Sequence, residues 1–225
     1  MQTFFESELE RLRKRLVKML NLVDSQLEKS FRVLLKGDTD YVEIIRQDEN
    51  KIDKLDIKID KLCQRIFALA QPVAGDLRFI MASLRIGTEM ERISDMTYEI
   101  THRSEAVCQY HKLLKKYKIP GLLEDIKKSF NQIVETFNNG NSALAFQIIE
   151  DCKDMDETCK EIFNEIVSDM TKKSDVIIIA TDLILIMRNL ERIIGHIENI
   201  AESIIFIIDA RIVRHPGLRS KDSKD

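Results

Sequence analysis

Residues 43–67 read EIIRQDENKIDKLDIKIDKLCQRIF. Ile45, Ile52, Leu55, Ile59, Leu62 and Ile66 recur at three, four and seven. At about 100° per residue they fall on one stripe, the mark of an amphipathic helix facing a core. Glu49, Asp53, Asp56 and Asp60 lie on one narrow edge beside that stripe, and Lys51, Lys54, Lys58 and Lys61 lie on the opposite edge. A helix that used its charges for its own stability would set an acid four residues before a base. Here the acids lie three and four residues from other acids, and each such like-charge pair costs about 0.2–0.5 kcal/mol. A bound cation would offset that repulsion. Solvation of the edge, or lysines on a neighbouring helix, are the competing explanations.

The rest of the chain supports the same architecture. Of 225 residues, 44% are apolar and 32% charged, with only 7 Gly, 3 Pro and no Trp. So few breakers predict long helices joined by short turns and no sheet. Six helices are expected: Glu6 to Lys36, ended by Gly37; the Asp38–Asp40 cap region to Ala70; Val73 to Lys116, behind Pro72; Leu122 to Asn138, after a Tyr117–Gly121 loop containing Pro120; Ser142 to Met170; and Ser174, as N-cap, to Val213. The sequence HPGLRSKDSKD that follows is polar.

The halves look alike. A shift from 37 to 140 sets Gly37 on Gly140, Ile45 on Ile148, Asp53 on Asp156 and Ile59 on Ile162. A shift from 90 to 190 sets Met90-Glu91-Arg92-Ile93 on Leu190-Glu191-Arg192-Ile193. The reading is an all-α chain of two tandem three-helix bundles: a first repeat over 1–118, a second over 119–213, and a flexible tail over 214–225.

Charge and thiols bound the function. A net charge of −3 does not favour nucleic acid, which usually selects a basic footprint. The start, MQTFFESELERLRKRL, turns acidic at once without an apolar region, so no signal peptide is expected. The longest greasy stretch, Val176–Met187, contains Asp182 and is too short to span a bilayer. Cys63, Cys108, Cys152 and Cys159 form no CxxC pair and are expected as reduced thiols. A cytoplasmic protein is the expectation.

The third helix carries a second acidic set at four-residue spacing, Glu91, Asp95 and Glu99. Facing carboxylates on two helices can build an oxygen-rich site for a hard or borderline cation, and Mg, Mn, Ca or Fe would suit it. The second half departs from this pattern. Cys152 stands opposite Glu49 and Gly195 opposite Asp95, while Asp156, Glu191, Glu198 and Glu202 remain, with His196 beside them. Arg78, Arg85 and Arg92 recur every seven residues on one face, as a solvated face or as binders of an acidic surface or phosphate.

Three segments carry a resemblance: QPVAGDLR at Gln71–Arg78, MERISD at Met90–Asp95, and LERIIGHIENIAE at Leu190–Glu202. Together they are similar to the PhoU family, regulators that accompany the bacterial high-affinity phosphate transporter, and the likeness runs from Glu6 to Val213. The resemblance implies two three-helix bundles and paired E/DxxxD motifs that hold metal clusters in some members. Carried over, the metal residues are Glu49, Asp53, Glu91 and Asp95 in the first half, and Asp156 and Glu191 in the second. Fe, Zn, Mn and Mg are not distinguished by the resemblance.

The resemblance further implies a non-enzymatic adaptor, a homodimer, that restrains phosphate uptake and the phosphate-starvation response. Its partners would be the phosphate ABC transporter's ATPase subunit and a sensor histidine kinase, and it would meet the membrane only through them. An accessory of a low-affinity phosphate permease is the alternative. A carboxylate-bridged metalloenzyme is a third reading. The Glu-x-x-His pairs of di-iron sites are absent from the acidic helices, since Ile52 follows Glu49 and Ser94 follows Glu91 by three.

Overall fold

A computed structural model describes residues 2–69, 71–172 and 176–213. Among the described residues seven helices run in order: α1 (Gln2–Lys36), α2 (Tyr41–Leu69), α3 (Ala74–Val107), α4 (His111–Lys116), α5 (Ile119–Asn139), α6 (Ser142–Lys172) and α7 (Ile177–Asp209). Among the described residues there is no strand, and no helix is long and apolar enough to cross a membrane. The chain folds as two tandem three-helix units, α1–α3 and α5–α7, with α4 between them. Ser174 and the 214–225 segment lie outside the described residues.

Helix ends follow local chemistry. Gly37 and Gly140 adopt φ +71 and +69, and their amides bond Val33 O and Thr136 O at 2.9 Å. A residue with a Cβ is strained at that φ, so glycine closes α1 and α5. The long third helix expected to reach Lys116 instead stops at Val107, and a turn over Cys108–Tyr110 leads into α4. No glycine or proline marks the break. Folding back buries Leu114 and Tyr117, both 1% exposed, and Tyr117 Oη donates to Asp169 at 2.8 Å. The expected Tyr117–Gly121 loop is shorter than it reads. Lys118 alone takes the left-handed conformation, φ 56, and Pro120 sits in the first turn of α5, where its missing N–H is harmless. The last helix ends at Asp209, short of Val213, with Ala210 at φ 55.

α3 is the most surrounded helix, packing on α1 and α2 within its own unit and most extensively on α7 of the other. Its buried positions include Ala82, Ser83, Gly87, Ser94, Thr97, Thr101 and Ser104, small side chains that let neighbouring helices come close. Burying hydroxyls without partners is costly. Ser83, Thr97, Thr101 and Ser104 each donate to the carbonyl four residues back, at 2.6–2.8 Å. α3 and α7 run antiparallel: Arg103 meets Asp182 at 3.5 Å, and Glu89 bonds His196 and Asn199 further along. Interpolating between these ties sets Arg92 near Arg192, the residues that the internal repeat equates, so a local pseudo-twofold axis passes there. One apolar core extends from Leu12 of α1 to Ile205 of α7 through both units.

Ile93, fully buried in α3, tests that shared core. Ile93→Ala is expected to lower stability by about 2–5 kcal/mol, read as a reduced urea midpoint. An unchanged midpoint would show that the core there is loosely packed.

Candidate metal centre

α2 and α3 pack closely at Gly87, where an added Cβ would lie 3.1 Å from Asp56 Oδ1 and 3.6 Å from Ile59 Cγ2. That approach brings the two acidic edges face to face. Asp53 from α2 and Glu91 and Asp95 from α3 each present a carboxylate oxygen, all within 4.8 Å of one another. The three are half-buried. Among the described residues their only ion-pair contact is Glu91 with its neighbour Arg92, at 3.5 Å. Asp56 Oδ1, one turn along α2, is shielded from solvent and has no hydrogen-bond partner.

The charges are held uncomfortably. Burial, then repulsion from Asp95, raises the Glu91 carboxyl above its ordinary pKa. Burial, then Asp53, raises Asp95. Glu49 is raised by burial and by Asp53 and Asp95, and Asp56 by burial and Asp60. Glu49 therefore stands beside the group without joining its tight core, Asp60 lies further along α2, and Glu99 is exposed. Lys51, Lys54, Lys58 and Lys61 are all exposed, and Lys51 pairs with Asp48 at 2.8 Å. Three partly desolvated carboxylates, met by a base only where Glu91 lies 3.5 Å from Arg92, with a fourth buried oxygen nearby, fit a hard cation. No imidazole or thiol belongs to the group. An ion there would supply positive charge against which Glu91 and Asp95 could stay ionised.

The second unit is built differently. Asp156 is bound by Lys160 four residues on, and Glu191 is met by Arg188 at 3.3 Å. Cys152 replaces an acid with a buried thiol pushed up to about 12 by burial, and Cys159 is likewise pushed up to about 12. Gly195 supplies no ligand, and His196 is hydrogen-bonded to Glu89 of α3. Glu198 is raised by burial and by Glu202. Among the described residues, Asp53, Glu91 and Asp95 form the only set of three ligating groups.

One structural acid lies outside the sequence reading. Asp48, 3% exposed, accepts from Lys29 of α1 at 2.7 Å and from Lys51 at 2.8 Å. Burial alone would raise its carboxyl, but these two bonds outweigh burial and hold it below the ordinary value. Its place on the apolar stripe, three after Ile45 and four before Ile52, was the available signal.

Fold and site define a class: an all-helical protein of two repeated three-helix units, with an unpaired acidic face on the first. The PhoU domain model matches residues 16–103 and again 119–204, and the chain belongs to the PhoU family. It is 29% identical over 215 residues to a Pseudomonas aeruginosa protein named phosphate-specific transport system accessory protein PhoU homolog, covering 95% of this chain and 89% of that one. An Aquifex aeolicus protein of the same name is 30% identical over 214 residues, covering 95% and 97%. The crystal structure of PhoU from Pseudomonas aeruginosa superposes with a TM-score of 0.86 at 26% identity, covering 92% of this chain and all of that one. A Streptococcus pneumoniae PhoU, described as a phosphate transport system regulatory protein, shares the fold with a TM-score of 0.83 at 21% identity.

The raised carboxyls give a signed test. An acid with a raised folded pKa binds its proton more readily in the folded chain, so stability falls as pH rises from the ordinary carboxylate pKa through the raised value. Above the raised values the cation-free protein carries the full repulsion. Asp95→Asn is expected to raise the melting temperature of cation-free protein at pH 7 and to remove the further rise that manganese or magnesium gives the parent chain. A lower melting temperature in Asp95→Asn, with no cation effect on the parent, would contradict this account.

Proposed function

We propose that this chain is a cytoplasmic, non-enzymatic regulator of phosphate uptake and a negative regulator of the phosphate-starvation response. It acts as a homodimeric adaptor between the ATPase subunit of a phosphate ABC transporter and a sensor histidine kinase. The observation that carries the reading is the family match over both three-helix units, joined to relatives named for phosphate-specific transport. In this reading the protein meets the membrane only through its partners. Packed helices of fixed spacing offer the rigid faces and grooves on which partner helices dock.

A cation would be held by Asp53, Glu91 and Asp95, with Glu49 and Asp56 as neighbours, and would brace α2 against α3. In the second unit Asp156 and Glu191 are the matching pair, already engaged by Lys160 and Arg188.

Deleting the gene is expected to leave a phosphate-starvation reporter switched on in phosphate-rich medium. Affinity capture of the tagged chain should recover a transporter ATPase and a sensor kinase. A silent reporter, with neither partner captured, would replace this reading with that of a permease accessory.

A further inference from the structure

Beside the acidic group, a cleft of about 770 Å³ opens between α2, α3 and α7. Four guanidinium groups line it, Arg92 and Arg103 from α3 and Arg188 and Arg192 from α7. They are held loosely. Arg92 lies 3.5 Å from Glu91, Arg103 lies 3.5 Å from Asp182, and Arg188 lies 3.3 Å from Glu191. Arg192 has no ion-pair partner among the described residues. Arginines that fasten this protein look different: Arg46 grips Glu43 through two bonds of 2.7 and 2.8 Å, and Arg32 grips Asp38 through two of 2.8 and 3.0 Å. The cleft arginines therefore keep most of their donors for something else.

The pseudo-twofold axis supplies an internal comparison. The repeat equates Asn189 with Glu89, Met96 with His196 and Glu99 with Asn199. On the far side of the axis, Glu89 is bonded to His196 and Asn199, which ties α3 to α7 there. On the near side the three equivalents all line the open cleft. The cleft is thus the half of the seam that the chain bridges with its own side chains only through the 3.5 Å contact of Arg103 with Asp182.

We propose that this cleft is a binding site for phosphoryl oxyanions. A guanidinium presents forked donors that match phosphate oxygens, and four of them from two helices suit an anion with acceptors on several sides. A carboxylate, with two acceptor oxygens, would satisfy only one or two. The opposing charges are Glu49, Asp95 and Glu99, which also line the cleft. A cation on Asp53, Glu91 and Asp95 would relieve that repulsion, so the affinity, but not the place, rests on the cation reading above.

Calorimetry decides the matter. The full chain is titrated with orthophosphate and with tripolyphosphate, first free of metal and then with manganese. Manganese uptake is measured separately. Saturable, arginine-dependent binding is expected in both states and tighter with manganese. Arg192→Gln and Arg188→Gln, both at exposed positions, should each weaken it about tenfold or more while leaving manganese uptake intact, as removal of a charge-assisted bond does. Orthophosphate binding best identifies the free anion as ligand, and tripolyphosphate binding best identifies a condensed one. If neither anion binds at millimolar concentration in either state, or if both variants bind like the parent, the proposal is overturned. Absence of manganese uptake would sink the cation reading alone, because the metal-free titration still judges the arginines.

Discussion

The antiparallel packing of α3 on α7 sets the terms for the rest of the molecule. A three-helix unit normally keeps one side of each helix in water, yet α3 must meet α1, α2 and α7 at once. Its row of glycine, alanine, serine and threonine permits that crowding, and the hydroxyls of Ser83, Thr97, Thr101 and Ser104 bond carbonyls of their own helix. Because the helix is gripped on several sides, its register is fixed. Fixed register is what holds Glu91 and Asp95 against Asp53, and what leaves Arg92 beside Arg192.

Two acids on α2 show how context decides the fate of a buried charge. Asp48 is almost wholly enclosed, yet two lysines make it an anchor between α1 and α2. Asp53 is less buried, has no ion pair among the described residues, and sits among other acids. A chain selected for stability alone would place a lysine there, as the second unit does by setting Lys160 on Asp156. Leaving Asp53 and Asp95 without an ion pair among the described residues costs electrostatic repulsion, and that cost is the physical argument for a role beyond packing.

The sequence disclosed what depends on period and on repeat. The α2 stripe and the acidic edges are read from spacing along one helix and the two-unit plan from the repeat, and the fold has that stripe and that plan. What stayed hidden depends on relations between helices. Nothing in the spacing says that α3 and α7 run antiparallel, so the meeting of Arg92 and Arg103 with Arg188 and Arg192 was not legible, and neither was the pairing of His196 with Glu89. The break after Val107 was missed for a different reason: tertiary burial of Leu114 and Tyr117 turns the chain, and no breaker residue announces it. Within the site, spacing put Glu49 on the right edge. Only the packing of α2 on α3 decides that Asp53, and not Glu49, completes the tight group.

The seam between α3 and α7 also shapes how the chain is made. Its ties join residues 79 to 110 positions apart, so they close last, after the local helical hairpins. At a synthesis rate of about 5–20 residues per second, α3 emerges from the ribosome roughly 5–20 s before α7 can cover it. Thr97 O and Thr101 Oγ1 meet Ser30 of α1, which is made first, whereas the Glu89 and Arg103 edge of α3 waits for its partners on α7 until the chain is nearly complete.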